Sequence, residues 1–169
     1  AIELLKQQYL DKIIYVPTGN NYNKPGLLRG EDRIAMLNIM FQNGEFQNNE
    51  KVSVSDFEVQ GSLYTINTLR HFRELYPEEE IYFICGTDNL AEFYTWRNYE
   101  EILKNYKLLV IARKDNKFHD IIKMYSEYKE SIILADVESQ VISSSLIRKE
   151  ILENGFTEKL KEYLDEKVI

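Results

Sequence analysis

The feature that most constrains the fold is an alternation of short apolar runs with longer segments of helical spacing. Five runs have the length and the aliphatic or aromatic content of strands. Such alternation is typical of βαβ units on a parallel sheet. We therefore predict an α/β fold: a doubly wound, Rossmann-like parallel sheet with helices on both faces and a helical C-terminal end. The strand-like runs are KIIYV (12–16), KVSVSDFEV (51–59), IYFIC (81–85), KLLVIAR (107–113) and SIILA (131–135).

Helical spacing fills most of the intervening segments, because apolar residues recur there every three or four positions. The clearest case is 31–43, where Ile34, Leu37 and Phe41 fall on one helical face. Serine residues favour the first position of a helix, so the last long helix should open at Ser143. The predicted helices cover 1–10, 31–43, 63–76, 117–128, 143–155 and 157–167.

Length and charge limit the classes of function. The chain has 169 residues and neither an internal repeat nor a Gly/Ser linker, so we expect residues 1–169 to form a single domain. The formal net charge of −7 and the pI near 5.0 disfavour broad nucleic-acid binding, because phosphate backbones require a basic face. Any phosphate site must therefore be local.

Cysteine usage and hydropathy favour the cytoplasm. Cys85 is the only cysteine, so no internal disulfide can form, and its apolar neighbours predict a buried, inert thiol. The longest apolar runs are strand-sized, well short of the roughly 20 residues that span a bilayer. The charged start AIELLKQQYL is also unlike a signal peptide. We expect a cytoplasmic protein that contacts no membrane.

The loop VPTGNNYNKPGLL (16–28) follows the first predicted strand, at the carboxyl end where parallel sheets bind ligands. It carries Thr18 and Lys24, and a lysine there supplies a mobile positive charge for a phosphate. The same composition also fits an ordinary polar loop with a solvated lysine. The residues alone leave both interpretations open.

The segment ICGTDNL ends another predicted strand at Gly86. A glycine at this point lets a ligand approach the backbone, and the carboxylate of Asp88 can accept hydrogen bonds from ribose hydroxyls. Alternatively, Thr87 or Asp88 caps a short helix that runs through Phe93. Both roles can coexist.

Trp96, the only tryptophan, follows this segment. A lone tryptophan among many aromatic residues usually packs in the core, but one just beyond a ligand loop can stack on a flat heteroaromatic ring. About thirty positions earlier, Tyr64 and Thr65 open a predicted helix. Its first amides would be available to a carboxylate or a carboxamide.

The segment VISSSLIRKEI is the most specific of the four. Three serines from Ser143 to Ser145 open a helix whose free amides and dipole favour an anion, and Arg148 lies one turn inward. A triphosphate suits this helix end. The pattern fits equally well a serine cap beside a solvated arginine. Arg113, at the end of KLLVIAR, is a further cation that could face the ligand.

Taken in order, the strings VPTGN, LYTINTL, FICGTDNL, VIAR and ISSSLIR, with Trp96 after the third, resemble the nicotinate/nicotinamide mononucleotide adenylyltransferase family of the nucleotidyltransferase α/β superfamily. The resemblance spans nearly the whole chain. In that family the serine-rich helix start grips the ATP phosphates, the G-x-D segment holds a ribose, the tryptophan stacks on the pyridine ring, and the Tyr-Thr pair contacts the mononucleotide.

The resemblance implies a role for each matching residue here. Lys24 and Arg148 would be the catalytic cations, and Thr18 and Arg113 would join the mononucleotide contacts. No protein ligand for a metal is implied. The other matches are Ser143, Ser144, Ser145 and Arg148 for the ATP phosphates, Gly86 and Asp88 for the ribose, Trp96 for the pyridine ring, and Tyr64 and Thr65 for the mononucleotide.

The chain departs from the family pattern in two places. Bacterial nicotinate-type loops often read PPHK after VPTGN, whereas this loop reads NYNK, so Asn23 replaces the histidine while Lys24 is retained. The family also opens with a strand and an H-x-G-H segment whose histidines neutralise phosphate, and no H-x-G-H occurs here. A parallel sheet without an interior strand leaves backbone groups unpaired. We therefore expect the sequence to start downstream of that strand.

The resemblance implies direct attack of a pyridine mononucleotide phosphate on ATP, with release of pyrophosphate, in NAD biosynthesis. Mg²⁺ should accompany ATP, and ATP and the mononucleotide are the implied partners. Whether the acceptor carries nicotinate or nicotinamide stays open at this point. Two alternatives also remain: a phosphopantetheine adenylyltransferase, which shares the fold and an ISSS-type helix start, and a nucleotide-binding module without catalysis.

Overall fold

A computed structural model of the chain describes residues 2–21, 26–42, 49–62, 64–112, 118–137, 143–161 and 164. The chain divides into two compact units. The first unit combines Ala1–Tyr9 with Ser62–Ser139, and the second combines Leu10–Gly61 with Gln140–Ile169.

Helices and strands alternate along the chain, as the sequence predicts. Two 3₁₀ segments, Phe93–Thr95 and Ile122–Ser131, accompany the longer elements. The elements are α1 (Ile2–Lys6), β1 (Ile13–Tyr15), α2 (Gly30–Gln42), β2 (Val52–Val54), α3 (Thr65–Leu75), β3 (Tyr82–Gly86), α4 (Thr87–Glu92), α5 (Tyr99–Asn105), β4 (Lys107–Ile111), α6 (Phe118–Ile121), β5 (Ile132–Ala135), α7 (Ser144–Asn154) and α8 (Glu158–Lys161).

The first unit is built on a three-stranded parallel sheet in the order β3-β4-β5. Tyr82 pairs with Lys107, and Leu108 pairs with Ile132, so the three predicted runs enter the sheet in register. The central strand β4 is buried on both faces, which explains why its sequence is continuously apolar rather than alternating.

The core of this unit lies between the sheet and the helices that follow β3. Phe93, Leu103 and Leu108 are fully buried in it. Burial of one such side chain contributes roughly 1.5–3 kcal/mol. The core cluster comprises Ile66, Leu69, Cys85, Leu90, Phe93, Ile102, Leu103, Tyr106, Leu108, Val110, Phe118, Tyr125 and Ile132.

The second unit has a smaller sheet and a smaller core. Strands β1 and β2 are parallel, with Ile13 opposite Val52, and α2 packs on them through Phe41, whose ring centroid lies 5.0 Å from that of Tyr15. Among its described residues, the buried large hydrophobic side chains are Ile13 and Leu160. Two short strands supply little apolar burial of their own.

Gly30 occupies the tightest position of the second unit. A Cβ added there would lie 2.5 Å from Cγ1 and 2.7 Å from Cγ2 of Val59. The Gly30 amide donates to Oδ1 of Asn20 at 2.5 Å. The absence of a side chain thus lets α2 begin against the turn that follows β2.

The predicted strand at 51–59 is wrong beyond Val54. The Ser55 amide still donates to the Tyr15 carbonyl at 2.8 Å, but the Ser55 hydroxyl accepts from the Phe57 amide at 3.3 Å, and the Gln60 amide donates to the Asp56 carbonyl. Serine and aspartate side chains compete with sheet pairing by such local bonds, and Oδ2 of Asp56 likewise accepts from Nε2 of Gln60 at 2.6 Å. Their local hydrogen bonds turn the chain away from the sheet.

The predicted helix at 117–128 is also wrong in its second half. Helix α6 ends at Ile121, and the 3₁₀ segment that follows is kinked at Tyr125, whose φ of −116° and ψ of 35° are not helical. The buried Tyr125 hydroxyl donates to the Leu90 carbonyl at 2.7 Å and accepts from the Tyr94 amide at 3.1 Å. This tertiary anchor overrides the local helical spacing.

Three further differences concern helix ends and the sheet. Helix α1 stops at Lys6 because Gln8 adopts a left-handed φ of 58°. The sequence analysis did not predict α5, and of the predicted helix at 157–167 the described residues show α8. The described strands form two parallel sheets instead of one.

In the part of the chain described, no helix is long and apolar enough to cross a bilayer.

Candidate functional site

The end of β3 carries the Gly86 to Asp88 segment. Gly86 has φ −89° and ψ 166°, which any residue can adopt, so its lack of a side chain, rather than an unusual backbone angle, is the relevant property. It occupies the N-cap position of α4 and provides no side-chain cap. Thr87 and Asp88 are therefore the first two helical residues, and the alternative that either one caps this helix is wrong. Asp88 is exposed and Thr87 is buried.

Cys85 lies directly before this segment, inside the core. Burial, together with the smaller effect of the negative charge of Asp88, raises the pKa of its thiol to about 12. A thiol with such a pKa is protonated near neutral pH and is a poor nucleophile. The prediction of a buried, inert thiol is consistent with this environment.

Trp96 is held against the core by two rings. Its ring centroid lies 4.9 Å from that of Phe93 and 5.6 Å from that of Phe83, and its amide donates to the Phe93 carbonyl at 2.9 Å. The side chain is only partly buried. The packing role and a stacking role are thus compatible, since the core fixes the indole while part of its surface stays open.

Helix α3 begins without a side-chain cap. Tyr64 occupies the N-cap position, where its phenol cannot accept a bond from the first turn, and its carbonyl accepts from the Asn67 amide at 2.9 Å. Within the described residues, the amides of Thr65 and Ile66 have no acceptor. Free amides at a helix start attract an anion or a carbonyl oxygen.

Arg97 joins the α3 start to the tryptophan segment. Its guanidinium carbon lies 4.5 Å from the centroid of the Tyr64 ring, a cation–π distance. The structure therefore brings Tyr64 and Thr65 together with Trp96 and Arg97, although more than thirty positions separate them in the sequence.

In the second unit, Thr18 is part of a network around Arg33. Nη1 of Arg33 donates to Oγ1 of Thr18 at 3.0 Å, Nη2 donates to the Thr18 carbonyl at 2.5 Å, and Nε donates to the Leu28 carbonyl at 3.0 Å. One guanidinium thus holds both ends of the 18–28 segment. The Thr18 hydroxyl accepts this bond and can still donate its own proton to a ligand.

The serine-rich segment starts α7. Ser143 is the N-cap, and its hydroxyl accepts from the Leu146 amide at 3.2 Å, so the predicted serine cap is present. Nη2 of Arg148 reaches back to the Ser144 hydroxyl at 3.3 Å. The amides of Ser144 and Ser145 have no acceptor within the described segments. From residue 143 to residue 149, every side chain is exposed except that of Ile147, which is partly buried.

Comparisons with known proteins identify the family of the chain. Residues 1–150 match the cytidylyltransferase-like family model. The probable nicotinate-nucleotide adenylyltransferase of Fusobacterium nucleatum subsp. nucleatum is 36% identical over 176 residues, which is 96% of this chain and 88% of the relative. Its counterpart in Clostridium tetani is 30% identical over 175 residues, covering 99% of this chain and 84% of the relative. The chain belongs to the nicotinate-nucleotide adenylyltransferase family.

Solved structures confirm the fold of this nicotinate-nucleotide adenylyltransferase family member. The nicotinic acid mononucleotide adenylyltransferase of Plasmodium falciparum complexed with NaAD superposes with a TM-score of 0.75 at 20% identity, over 99% of this chain and 82% of that one. The same enzyme complexed with APC gives a TM-score of 0.74. The predicted α/β class, with parallel strands and helices on both sides, is thus correct.

Two predicted site residues of this adenylyltransferase family member, Lys24 and Arg113, lie outside the described residues. Of the described ones, Gly86, Asp88, Tyr64, Thr65 and Trp96 belong to the first unit. Thr18 and the α7 start from Ser143 to Arg148 belong to the second unit.

The two histidines of the chain pack beside phenylalanine rings in the described structure. The His71 ring lies 5.4 Å from that of Phe72 in α3, and the His119 ring lies 5.9 Å from that of Phe118 in α6. Across the described segments, no group of three or more His, Cys, Asp or Glu side chains could hold a metal ion.

The sequence analysis missed two arginines that the structure places beside the predicted residues. Arg33 contacts Thr18 from α2, and Arg97 lies over Tyr64. The position of Arg97 directly after Trp96 was the available signal, because a cation next to a ring-binding residue suits an anionic ring substituent. Arg33 gave no such signal, since it falls inside an otherwise ordinary amphipathic helix.

Proposed function

We propose that the protein transfers the AMP group of ATP to nicotinate mononucleotide and releases pyrophosphate. The observation that carries the proposal is the grouping of the half-buried Trp96, Arg97 and the uncapped start of α3 at Tyr64 and Thr65. This grouping offers an aromatic surface, a cation and free amides to one flat ring that bears an anionic group. The related proteins named nicotinate-nucleotide adenylyltransferases support the same acceptor.

The reaction needs no covalent intermediate on the protein. A phosphate oxygen of nicotinate mononucleotide attacks the α-phosphorus of ATP in line, a new P–O–P bond forms, and the bond from the α-phosphorus to the bridging oxygen of the β-phosphate breaks. Pyrophosphate carries away the electron pair. The protein contributes position and positive charge, because the two anionic reactants repel each other.

On the mononucleotide side, Trp96 stacks on the pyridine ring, and Tyr64 and Thr65 offer the start of α3. Support for the stacking role comes from the rigid mounting of the indole on Phe93 and Phe83. The family resemblance also assigns Thr18 and Arg113 to the mononucleotide. The Arg33 bonds to Thr18 keep that residue in a fixed position while its hydroxyl proton stays available.

On the ATP side, the start of α7 receives phosphate oxygens. The free amides of Ser144 and Ser145, the Ser143 cap and the positive end of the helix dipole all favour an anion. Arg148 already lies over the Ser144 hydroxyl and can bind a phosphate by a small change of rotamer. Lys24 and Arg148 are the proposed catalytic cations, which stabilise charge on the α- and β-phosphates.

The ribose of the nucleotide is assigned to the end of β3. Gly86 permits close approach of the sugar, and the exposed Asp88 carboxylate accepts its hydroxyls. Mg²⁺ enters bound to ATP as part of the substrate, and it neutralises phosphate charge there.

We further propose that residues 1–169 act as one nucleotidyltransferase-like domain in the cytoplasm. The reducing cytoplasm keeps a single unpaired cysteine in its thiol form.

Substrate turnover tests the proposal. The protein is incubated with MgATP and, in separate reactions, nicotinate mononucleotide, nicotinamide mononucleotide or phosphopantetheine, and pyrophosphate and the dinucleotide product are quantified. We expect the highest kcat/KM with nicotinate mononucleotide. Turnover with phosphopantetheine alone would establish the rival enzyme. Binding of ATP by calorimetry without pyrophosphate release from any acceptor would establish a nucleotide-binding module instead.

A further inference from the structure

Arg97 sits in a short connection whose two ends are fixed. On one side, the Trp96 ring packs on Phe83 and Phe93. On the other side, Asn98 adopts a left-handed conformation with φ 56° and ψ 34°, and its side-chain amide donates to Oε2 of Glu101 at 2.9 Å. The Tyr99 amide also donates to the Trp96 carbonyl at 3.2 Å. The backbone of Arg97 is therefore held in place from both directions.

The guanidinium of Arg97 has hydrogen-bond donors with no acceptor among the described residues. Its carbon lies 4.5 Å from the centroid of the Tyr64 ring, and a cation–π contact of this kind uses none of the N–H groups as a hydrogen-bond donor. No acceptor or carboxylate among the described residues contacts them. Arg70, another exposed arginine of the same unit, differs in this respect, because its Nε and Nη2 donate to the two carboxylate oxygens of Glu101 at 2.9 and 2.7 Å.

The two arginines differ in whether a carboxylate balances the positive charge of the guanidinium. The charge of Arg70 is paired with Glu101, whereas no carboxylate among the described residues pairs with Arg97. Stacking on Tyr64 restricts the Arg97 side chain without consuming its donors, so it loses little conformational entropy when a ligand binds. A pre-positioned planar fork of this kind fits a carboxylate with two parallel hydrogen bonds.

We propose that Arg97 is the specificity-determining residue that selects the carboxylate of nicotinate over the carboxamide of nicotinamide. The inference rests on the proposed function, because it places the pyridine ring on the neighbouring Trp96. A guanidinium has donors and no acceptor, so it can pair both oxygens of a carboxylate, but it meets the NH₂ group of a carboxamide with a donor. Selection thus comes from a charged pair gained by the acid and an unfavourable contact with the amide.

The test compares three variants. Arg97→Gln removes the charge and keeps a flat polar group, Arg97→Lys keeps the charge and removes the fork, and Arg70→Gln is the matched control for loss of an exposed arginine. The measured quantity is the ratio of kcat/KM for nicotinate mononucleotide to that for nicotinamide mononucleotide, with KM for ATP recorded alongside. Circular dichroism and the thermal midpoint establish that each variant is folded.

We expect Arg97→Gln to lower the acid-to-amide ratio by about 10- to 100-fold, the range of a charge-assisted hydrogen bond. Arg97→Lys should lose about 3- to 10-fold, because a point charge replaces a fork. Arg70→Gln should leave the ratio and KM for ATP unchanged. The loss in Arg97→Gln should fall on the acid, with kcat/KM for the amide preserved or raised.

An equal loss with both mononucleotides in Arg97→Gln would overturn the inference, because it would show a structural role. An unchanged ratio in a folded Arg97→Gln protein would overturn it as well. The unmodified protein separates this failure from that of the proposed function. If the unmodified protein turns over nicotinate mononucleotide and Arg97→Gln has the same acid-to-amide ratio, only the proposed role of Arg97 is rejected. If it turns over neither mononucleotide, the function and the inference are both rejected.

Discussion

The two units of the molecule support their proposed ligand residues in different ways. In the first unit, Trp96 packs against a core in which Phe93, Leu103 and Leu108 have no exposed surface. In the second unit, none of the described residues of α7 is fully buried, and Leu146 and Leu152 are 57% and 86% exposed. The proposed ring contacts are thus mounted on dense packing, and the proposed phosphate contacts on an exposed helix.

This difference matches what each ligand part requires. Recognition of a flat ring depends on surfaces in contact, so small displacements of the indole weaken it. Binding of phosphate depends on charge and free amides, which act over longer distances and tolerate a side chain that changes rotamer. We therefore expect changes in the first unit to act through stability and ring affinity, and changes at α7 to act through catalysis with the fold intact.

The largest effect should come from Phe93→Ala. Phe93 is fully buried and its ring supports Trp96 at 4.9 Å, so the variant should lose about 3–5 kcal/mol in the free energy of unfolding. Urea denaturation followed by circular dichroism measures the loss. Tyr94→Ala is the control, because Tyr94 is 52% exposed and should change stability by less than about 0.5 kcal/mol. Equal losses in the two variants would contradict the difference between core and surface on which the comparison rests.

The next largest effect is expected from Arg148→Gln, and it concerns activity. The change should lower kcat/KM by about 100-fold, because one preorganised donor to the transition state is removed. The free energy of unfolding should stay within about 0.5 kcal/mol of the original value, since Arg148 is exposed. Lys149→Gln, which removes the neighbouring cation 3.8 Å from Glu153, should retain activity. A variant at Arg148 that unfolds readily would show that this helix start, too, depends on packing.

Gly30→Ala probes the close approach of Gly30 to Val59 in the second unit. The added methyl would meet Val59 at 2.5 and 2.7 Å, so we expect a loss of about 1–3 kcal/mol in the free energy of unfolding. Combining it with Val59→Ala should restore part of that loss, because the second change removes both contacting methyl groups. A double-mutant cycle in urea gives the coupling energy. Independent, additive losses would place the cause elsewhere.

The smallest expected effect concerns pH. The pKa of Cys85 rises from 9.0 to about 12 on folding, so the thiol contributes stability below pH 9 that is lost as pH rises toward 12, where the unfolded chain has released a proton and the folded chain retains it. At pH 10 the loss should be about 1 kcal/mol. Subtracting the pH profile of Cys85→Ala from that of the original protein isolates it from the tyrosines. Parallel profiles from pH 8 to 11 would exclude this contribution.

The sequence predicted the elements whose signal is local. The apolar runs at β3, β4 and β5 and the serine cap at Ser143 are encoded in consecutive residues, and the structure has them within one or two positions. The element type was wrong where a side-chain hydroxyl competes with the apolar spacing, through a tertiary bond at Tyr125 and a local bond at Ser55. The hydroxyl of Tyr125 kinks a predicted helix, and the hydroxyl of Ser55 ends a predicted strand early.

The candidate site follows the same division. Gly86, Trp96 and the serines of α7 could be named from motif strings, because each string keeps its spacing wherever the chain folds. The contact between Arg97 and Tyr64 joins residues 33 positions apart, and no local pattern encodes it. The triple bonding of Arg33 to Thr18 and Leu28 likewise depends on where α2 is placed. The ligand roles of all these residues stay predictions.

The packing of Trp96 on Phe83 and Phe93 also gives the protein an optical reporter. Trp96 is the only tryptophan among 169 residues, so selective excitation of indole monitors one position. A pyridine ring stacked on that indole should quench its emission, and exposure to water on unfolding should shift the emission to longer wavelength. A single fluorescence titration can therefore follow occupancy of the proposed ring site, and a single melt can follow the unit that supports it.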